Sequence, residues 1–254
     1  MEAHSASSSA YSLSMIAFTS GCLFSTRWVW FSPPHDVEQV DEAVFLDYRA
    51  GEYPGFRRKE GVTSVIDLTQ SEEALWSAMR DKFIRKQIRR GESLGITVRE
   101  GALADFAPLY ASLRTSKRLP VSDLAPVAVV GRILVAEAPQ SGIMSGGLFI
   151  GDGTNVRAYA LASKRFTARD GHARELIGYG NRMVVWEAMK LFKREGYRAL
   201  DLGGINPNSG DPEDDSLAEF KEAFGGVRVP YYFYRKTYSS CVRSLRRLRS
   251  FLHI

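Results

Sequence analysis

Residues 180–226 write helix, strand and helix in turn, with glycine at each joint, and this stretch constrains the fold more than any other. Val185, Ala188, Met189 and Phe192 recur at the i, i+3, i+4, i+7 spacing of a core-facing stripe, which predicts a helix over about 180–194. Gly196 suits the position after such a helix, where the backbone turns left-handed and a residue without Cβ is unstrained. Tyr197-Arg198-Ala199-Leu200-Asp201-Leu202 then reads as a strand running into Gly203-Gly204, a turn at which backbone can approach a ligand. A polar loop leads to a short helix over 215–223, closed by Gly225-Gly226. Residues 227–238 read as a further strand, with Tyr231, Tyr232, Phe233 and Tyr234 in one run.

The same alternation holds upstream. Thr63-Ser64-Val65-Ile66-Asp67-Leu68 is a strand by its β-branched content. Ser71 is placed to cap a helix whose first turn carries Glu72 and Glu73, opposite in sign to that end of the helix dipole. Leu75, Trp76, Met79 and Phe83 share one stripe while Ile84 and Ile88 fall on the neighbouring face. This predicts one kinked helix or two short ones, ending near Gly91 or Gly95. Residues 96–98 read as strand, 103–117 as a helix stopped before Pro120, and 123–136 as a further, partly buried helix. The apolar runs 142–150 and 156–163 flank Gly151-Asp152-Gly153-Thr154-Asn155 and predict a hairpin. At the N-terminus, 1–13 is Ser- and Ala-rich with no core-forming pattern and reads as disordered, and 15–31 has the aromatic and β-branched content of a short strand pair. Ser32-Pro33-Pro34 stops it, and 35–61 reads as an irregular lead-in. Alternating strands and helices favour a mixed α/β fold over all-α or all-β. The chain thus divides into an N-terminal extension (1–61), an organised single domain (62–238) and a basic tail (239–254).

At 254 residues, 44% hydrophobic and 25% charged, the chain has globular composition and excludes collagen-like and repeat architectures. Its 34 Lys+Arg against 29 Asp+Glu give a net charge of +5, which favours anionic partners: coenzyme A, tRNA, an acidic lipid or a nucleotide-linked sugar. Cys22 and Cys241, near opposite ends, make neither a metal framework nor a disulfide scaffold, so reduced thiols and a cytoplasmic location are expected. The apolar residues 14–18 lack the preceding basic residues of a secretory signal, and no apolar run approaches the roughly 18 residues of a spanning helix. His4, His35, His172 and His253 are scattered without zinc or triad spacing, and no metal is implied.

Leu200-Asp201-Leu202-Gly203-Gly204-Ile205, then Phe220-Lys221-Glu222-Ala223-Phe224-Gly225-Gly226, then the aromatic run before Arg235-Lys236 form a combination. With the stretch 180–199 before it, this resembles the closing portion of FemAB-family sequences, the peptidoglycan-bridge aminoacyltransferases within the GNAT acyltransferase superfamily. Residues 65–100 resemble the strand and basic helix that open the same family's second domain. The resemblance covers about 62–238 and implies a GNAT-like α/β (α+β) fold, a mixed, mostly antiparallel sheet flanked by helices. It implies N-acyl transfer, in which an amine attacks an activated acyl carbonyl. The donor would be aminoacyl-tRNA and the acceptor an amine of a cell-wall precursor or a related compound. Other GNAT relatives use acyl-CoA on amino sugars or small amines. Either donor is a co-substrate rather than a bound cofactor.

By the same resemblance the Phe-Lys pair maps onto Phe220 and Lys221, with the lysine stabilising the developing oxyanion, as a cation aimed at that charge should. Asp201 either orients the acceptor amine or takes its proton, or else caps a backbone turn. Gly203 and Gly204 supply the backbone approach. FemAB enzymes carry two GNAT-like domains, and residues 1–60 are too few for the other one. The chain is therefore a single-domain relative, or works with a partner chain or as a homodimer. A catalytically silent GNAT-like binding domain is the alternative from a different class.

The GNAT coenzyme loop, Q/R-x-x-G-x-G/A, holds a pyrophosphate on backbone N–H groups at a helix start. Its nearest match is Arg174-Glu175-Leu176-Ile177-Gly178-Tyr179-Gly180, one residue too long, which makes Arg174, Gly178 and Gly180 candidate donor contacts. Arg80, Lys82, Arg85, Lys86, Arg89 and Arg90 crowd one helix. They either hold tRNA phosphates, Arg85 and Arg89 foremost, or meet anionic head groups, or form a solvated face. In a final amphipathic helix over 241–252, Val242, Leu245, Leu248 and Leu252 share one face and the arginines mostly take the other. That helix would lie on an anionic membrane surface or dock on the domain.

Overall fold

The strands read from the sequence, with others it left unread, close into one ten-stranded sheet. The computed structural model describes residues 16–21, 23–207 and 209–244. In chain order the strands are β1 (Ile16–Ser20), β2 (Thr26–Trp30), β3 (Glu42–Asp47), β4 (Arg57–Asp67), β5 (Thr97–Glu100), β6 (Gly131–Ala138), β7 (Gly142–Gly151), β8 (Asn155–Ser163), β9 (Ala199–Ile205) and β10 (Val227–Thr237). Their spatial order is β1-β2-β3-β10-β4-β9-β8-β7-β6-β5. All neighbours are antiparallel except β2/β3 and β8/β9. This is the mixed, mostly antiparallel sheet that the resemblance implied.

The helices are α1 (Glu72–Ala78), α2 (Lys86–Ser93), α3 (Leu103–Ser116), the single turn α4 (Ala125–Ala128), α5 (Gly171–Arg194) and α6 (Pro212–Glu222). Ser71 caps α1, its hydroxyl accepting from Ala74 N–H at 3.2 Å. The shift of apolar face after Phe83 corresponds to two short helices joined by one π-helical turn, Asp81–Arg85. α5 provides the crossover that a parallel β8/β9 pair requires. Its stripe of Val185, Ala188, Met189 and Phe192 is buried against the sheet together with Ile66, Leu134, Phe149 and Leu200. Each of these side chains larger than alanine contributes about 1.5–3 kcal/mol. On the opposite face α3 and α4 cover the sheet through Phe106, Leu109, Tyr110 and Val127, which pack on Trp30, Leu46, Leu148 and Ile150.

Three expectations are corrected. Residues 123–136 hold only the turn α4 before entering β6, because Leu134, Val135 and Ala136 are buried in a sheet interior where a continuous apolar run serves a strand. Residues 35–61 are not irregular throughout: β3 is buried at every position, and Arg57–Gly61 already pair with β10. α5 starts at Gly171, nine residues before the expected position, since Asp170 accepts from Ala173 N–H at 2.8 Å and opens the helix there. Residues 245–252 of the basic tail lie outside the described residues. No helix among the described residues is long and apolar enough to cross a membrane.

Candidate active site

β8 and β9 run side by side for only three residue pairs, ending at Arg157 and Asp201, and then part. Both strands are irregular there. β8 carries an extra residue, Tyr159, opposite the Leu148/Phe149 step of β7, and the β4/β9 register shifts beside Gly203. Bulges of this kind re-aim side chains and end pairing next to active sites. The parting strands open a wedge in the sheet, and the polar residues of the interior gather at its base.

Asp201 is 1% exposed, and its carboxylate accepts from four donors. The Tyr48 hydroxyl donates at 2.6 Å and the Gly203 N–H at 2.6 Å, joined by Thr63 Oγ1 and the Arg157 guanidinium. The aspartate therefore both caps the Gly203 turn and closes a buried ion pair. Its acceptor sites are occupied, so the geometry provides no vacancy for an amine proton. Arg157, 5% exposed, lies 4.5 Å from the centre of the Tyr231 ring and 5.9 Å from that of Trp30. Burial, the largest single influence, works against its charge, but Asp201, Tyr48 and Tyr231 together more than offset it and raise its pKa. Burial and then the Asp201 charge raise the Tyr48 phenol well above its usual value and keep it a donor.

Lys221 is 8% exposed on α6, and its Nζ donates to the Gly204 carbonyl at 2.9 Å. Burial, then the nearby Arg157 charge, pushes its pKa down to about 8, with Asp201 opposing. One of its three N–H donors is spent on Gly204, which leaves others for an oxygen arriving in the wedge. Gly203 has φ +85°, and a Cβ there would stand 3.3 Å from the Ala158 carbonyl and 3.4 Å from Lys221 Nζ. At Gly204 a Cβ would meet the Tyr231 hydroxyl at 3.0 Å. Both glycines are needed for the close approach of strand, lysine and tyrosine. Phe220 turns to the other side of α6, edge-on to Phe224 with ring centres 5.3 Å apart.

Asp201, Gly203, Gly204 and Lys221 thus come together, with Phe220 adjacent, whereas the candidate coenzyme loop does not form. Arg174, Gly178 and Gly180 lie within α5, so their backbone N–H groups belong to the helix ladder and cannot cradle a pyrophosphate. Gly180 serves packing instead: a Cβ there would come within 2.8 Å of Ser145 Oγ and 3.1 Å of Met144 Sδ. His172 stands in the first turn of α5. In the basic patch, Arg80 pairs with Glu219 at 3.0 Å, Arg85 with Asp81 at 3.2 Å, and Arg89 stacks 5.3 Å from the Trp76 ring centre.

The sequence reading missed Tyr48, Thr63, Arg157 and Arg182. Arg157 carried a signal: it is the single charge in the apolar run Val156–Ser163, as Asp201 is in Leu200–Ile205. Charges standing alone in two buried strands require each other. Tyr48 and Thr63 carried none, since their roles depend on long-range register.

No protein-family model and no curated protein matches this sequence. Solved structures do match its fold. The chain superposes on FemX with a TM-score of 0.61 at 12% identity, covering 87% of this chain and 83% of that one. It also matches the C-terminal domain of a putative lysylphosphatidylglycerol synthetase from Agrobacterium fabrum, with a TM-score of 0.50 at 12% identity, over 91% and 83% of the two chains. A conserved protein of unknown function from Bacteroides thetaiotaomicron gives 0.50 at 9% identity, over 89% and 83%. The fold is therefore the one that the FemAB-like resemblance implied.

Proposed function

We propose that this chain is an N-acyltransferase of FemAB-like type, moving an aminoacyl group from aminoacyl-tRNA to an amine of a cell-wall or related acceptor. The observation that carries the reading is Lys221, a buried cation held on the Gly204 carbonyl at the base of the β8/β9 wedge. The acceptor nitrogen forms a new bond to the acyl carbon, and the ester bond to the terminal ribose breaks. The proton lost by the amine ends on the departing ribose hydroxyl. Lys221 Nζ–H stabilises the tetrahedral oxyanion between those two events, where a preorganised donor away from bulk water acts most strongly. Asp201 acts indirectly, by fixing the Gly203-Gly204 turn on which Lys221 rests.

An acyl-CoA donor acting on an amino sugar or small amine is the second reading. The β8 edge left open beyond Arg157 favours it, because an extended amide-bearing arm can pair with an open strand. The start of α5 opposes it: the Asp170 carboxylate already takes the Ala173 N–H and sets a negative charge where a pyrophosphate would bind. Offering the purified protein labelled charged tRNA and labelled acyl-CoA, each with and without ribonuclease, separates the two. Ribonuclease-sensitive transfer supports the first reading, ribonuclease-resistant transfer from acyl-CoA the second. No transfer from either would leave a silent binding domain.

A further inference from the structure

Arg182 carries a charge for which the fold supplies no acid. It rises from α5 with Nε donating to the Phe83 carbonyl at 2.8 Å and Nη1 to the Gly178 carbonyl at 2.8 Å. Its guanidinium carbon lies 4.8 Å from the centre of the Phe83 ring and 5.6 Å from that of Phe220, the neighbour of Lys221. These contacts fix the side chain and strip much of its water. Burial, then the charge of Arg165, pulls its pKa down to about 10, and no carboxylate offsets them.

The acids near these basic segments are committed elsewhere. Asp170 caps α5, Asp81 pairs with Arg85, and Glu175 accepts from the Tyr179 hydroxyl. Among the described residues, Arg165 and Arg182 form no ion pair with a carboxylate. Asn181, next to Arg182 in α5, donates to Ser163 Oγ at 3.5 Å, which brings the turn Lys164–Thr167 carrying Arg165 against this part of the helix. Like charges brought together in this way cost stability unless an anion joins them. Arg182 spends two of its five N–H donors on carbonyls and keeps the rest of its planar fork for oxygens.

We propose that Arg182 and Arg165 form a binding site for a phosphate group of the acyl donor, beside the Phe220 ring. The inference rests on the donor being a phosphate-bearing activated acyl compound, as under Proposed function. The site is separate from the start of α5. Arg182 is eleven residues along that helix, about 16 Å from its first residue. A cation pair suits a phosphate better than a single carboxylate, and the Phe220 ring offers a face on which the attached group can lie. RNA and coenzyme A both carry such phosphates, and the test names which one supplies it.

Two probes are titrated by equilibrium binding: a labelled RNA hairpin with a single-stranded 3′ tail, and coenzyme A. The wild-type protein should bind one of them. Arg182→Gln and Arg165→Gln should each weaken that binding about tenfold or more, and for RNA each should reduce the slope of log K against log salt by about one. Arg182→Lys should recover part of the loss. Arg27→Gln, which removes an exposed charge on β2, should change binding less than about twofold. Wild-type affinity in Arg182→Gln and Arg165→Gln, binding of neither probe, or an equal loss in Arg27→Gln would overturn the site. If Arg182→Gln fails to fold, as judged by its melting curve, the exposed Arg165→Gln decides alone. Probe binding is read without turnover, so this site can fail while Lys221-dependent transfer stands, and the reverse.

Discussion

Asp201 and Lys221 are coupled through a two-glycine turn: Asp201 holds the Gly203 N–H at 2.6 Å, and Lys221 holds the Gly204 carbonyl at 2.9 Å. The aspartate is fixed in turn by Tyr48, Thr63 and Arg157, which reach it from β3's end, β4 and β8. Lys221 is thereby placed by four separate segments of chain. This argues that Asp201 positions the lysine rather than exchanging protons with substrate.

Asp201→Asn should therefore act on stability as well as activity. It leaves the Arg157 guanidinium buried without its counter-charge, a loss of roughly 3–5 kcal/mol. Urea unfolding checks the magnitude. A stable Asp201→Asn protein with wild-type transfer would contradict the positioning role.

Gly203→Ala should separate geometry from stability. The backbone sits at φ +85°, and the added Cβ meets Ala158 and Lys221. The strain is about 1–2 kcal/mol, while displacement of Lys221 should lower kcat further than that loss alone can. Comparing melting with single-turnover rates tests this.

The pH dependence follows from the lowered pKa of Lys221. Below pH 8 the lysine is charged in both the folded and unfolded states, and the folded state bears the cost of burying that charge. Between about 8 and 10.5 only the unfolded state retains the proton, so the cost fades as pH rises. Lys221→Met should then be more stable than wild type at pH 7, by on the order of 3 kcal/mol, with the gap closing toward pH 10. Wild-type transfer should decline as pH rises through about 8, as the cation is lost.

Gly180→Ala tests the reassignment of the candidate coenzyme loop. Crowding against Ser145 and Met144 should cost about 1–3 kcal/mol, with KM for the donor unchanged. A raised donor KM at unchanged stability would restore a phosphate role for this segment.

Local pattern carried much of the fold. The buried stripe of α5 and the β7/β8 hairpin follow from periodicity and turn glycines, and both occur in the structure. Boundaries and the sheet's far side were less legible. The start of α5 was hidden because Gly171, Gly178 and Gly180 read as loop, although at Gly180 close packing against Met144 and Ser145 of β7 favours glycine inside the helix. β3 lay unread because its burial depends on pairing with β10, nearly 190 residues away in the chain. The same limit hid Tyr48 and Thr63, which meet Asp201 only once β3, β4 and β9 are in register.

The central claim is amine acylation dependent on Lys221. The most direct measurement follows label from charged tRNA onto a cell-wall precursor amine, using wild type and a Lys221→Ala protein shown by its melting curve to be folded. The account predicts ribonuclease-sensitive transfer by wild type and a loss of at least about a hundredfold in the variant, the magnitude of an oxyanion donor. Wild-type turnover in folded Lys221→Ala would contradict it.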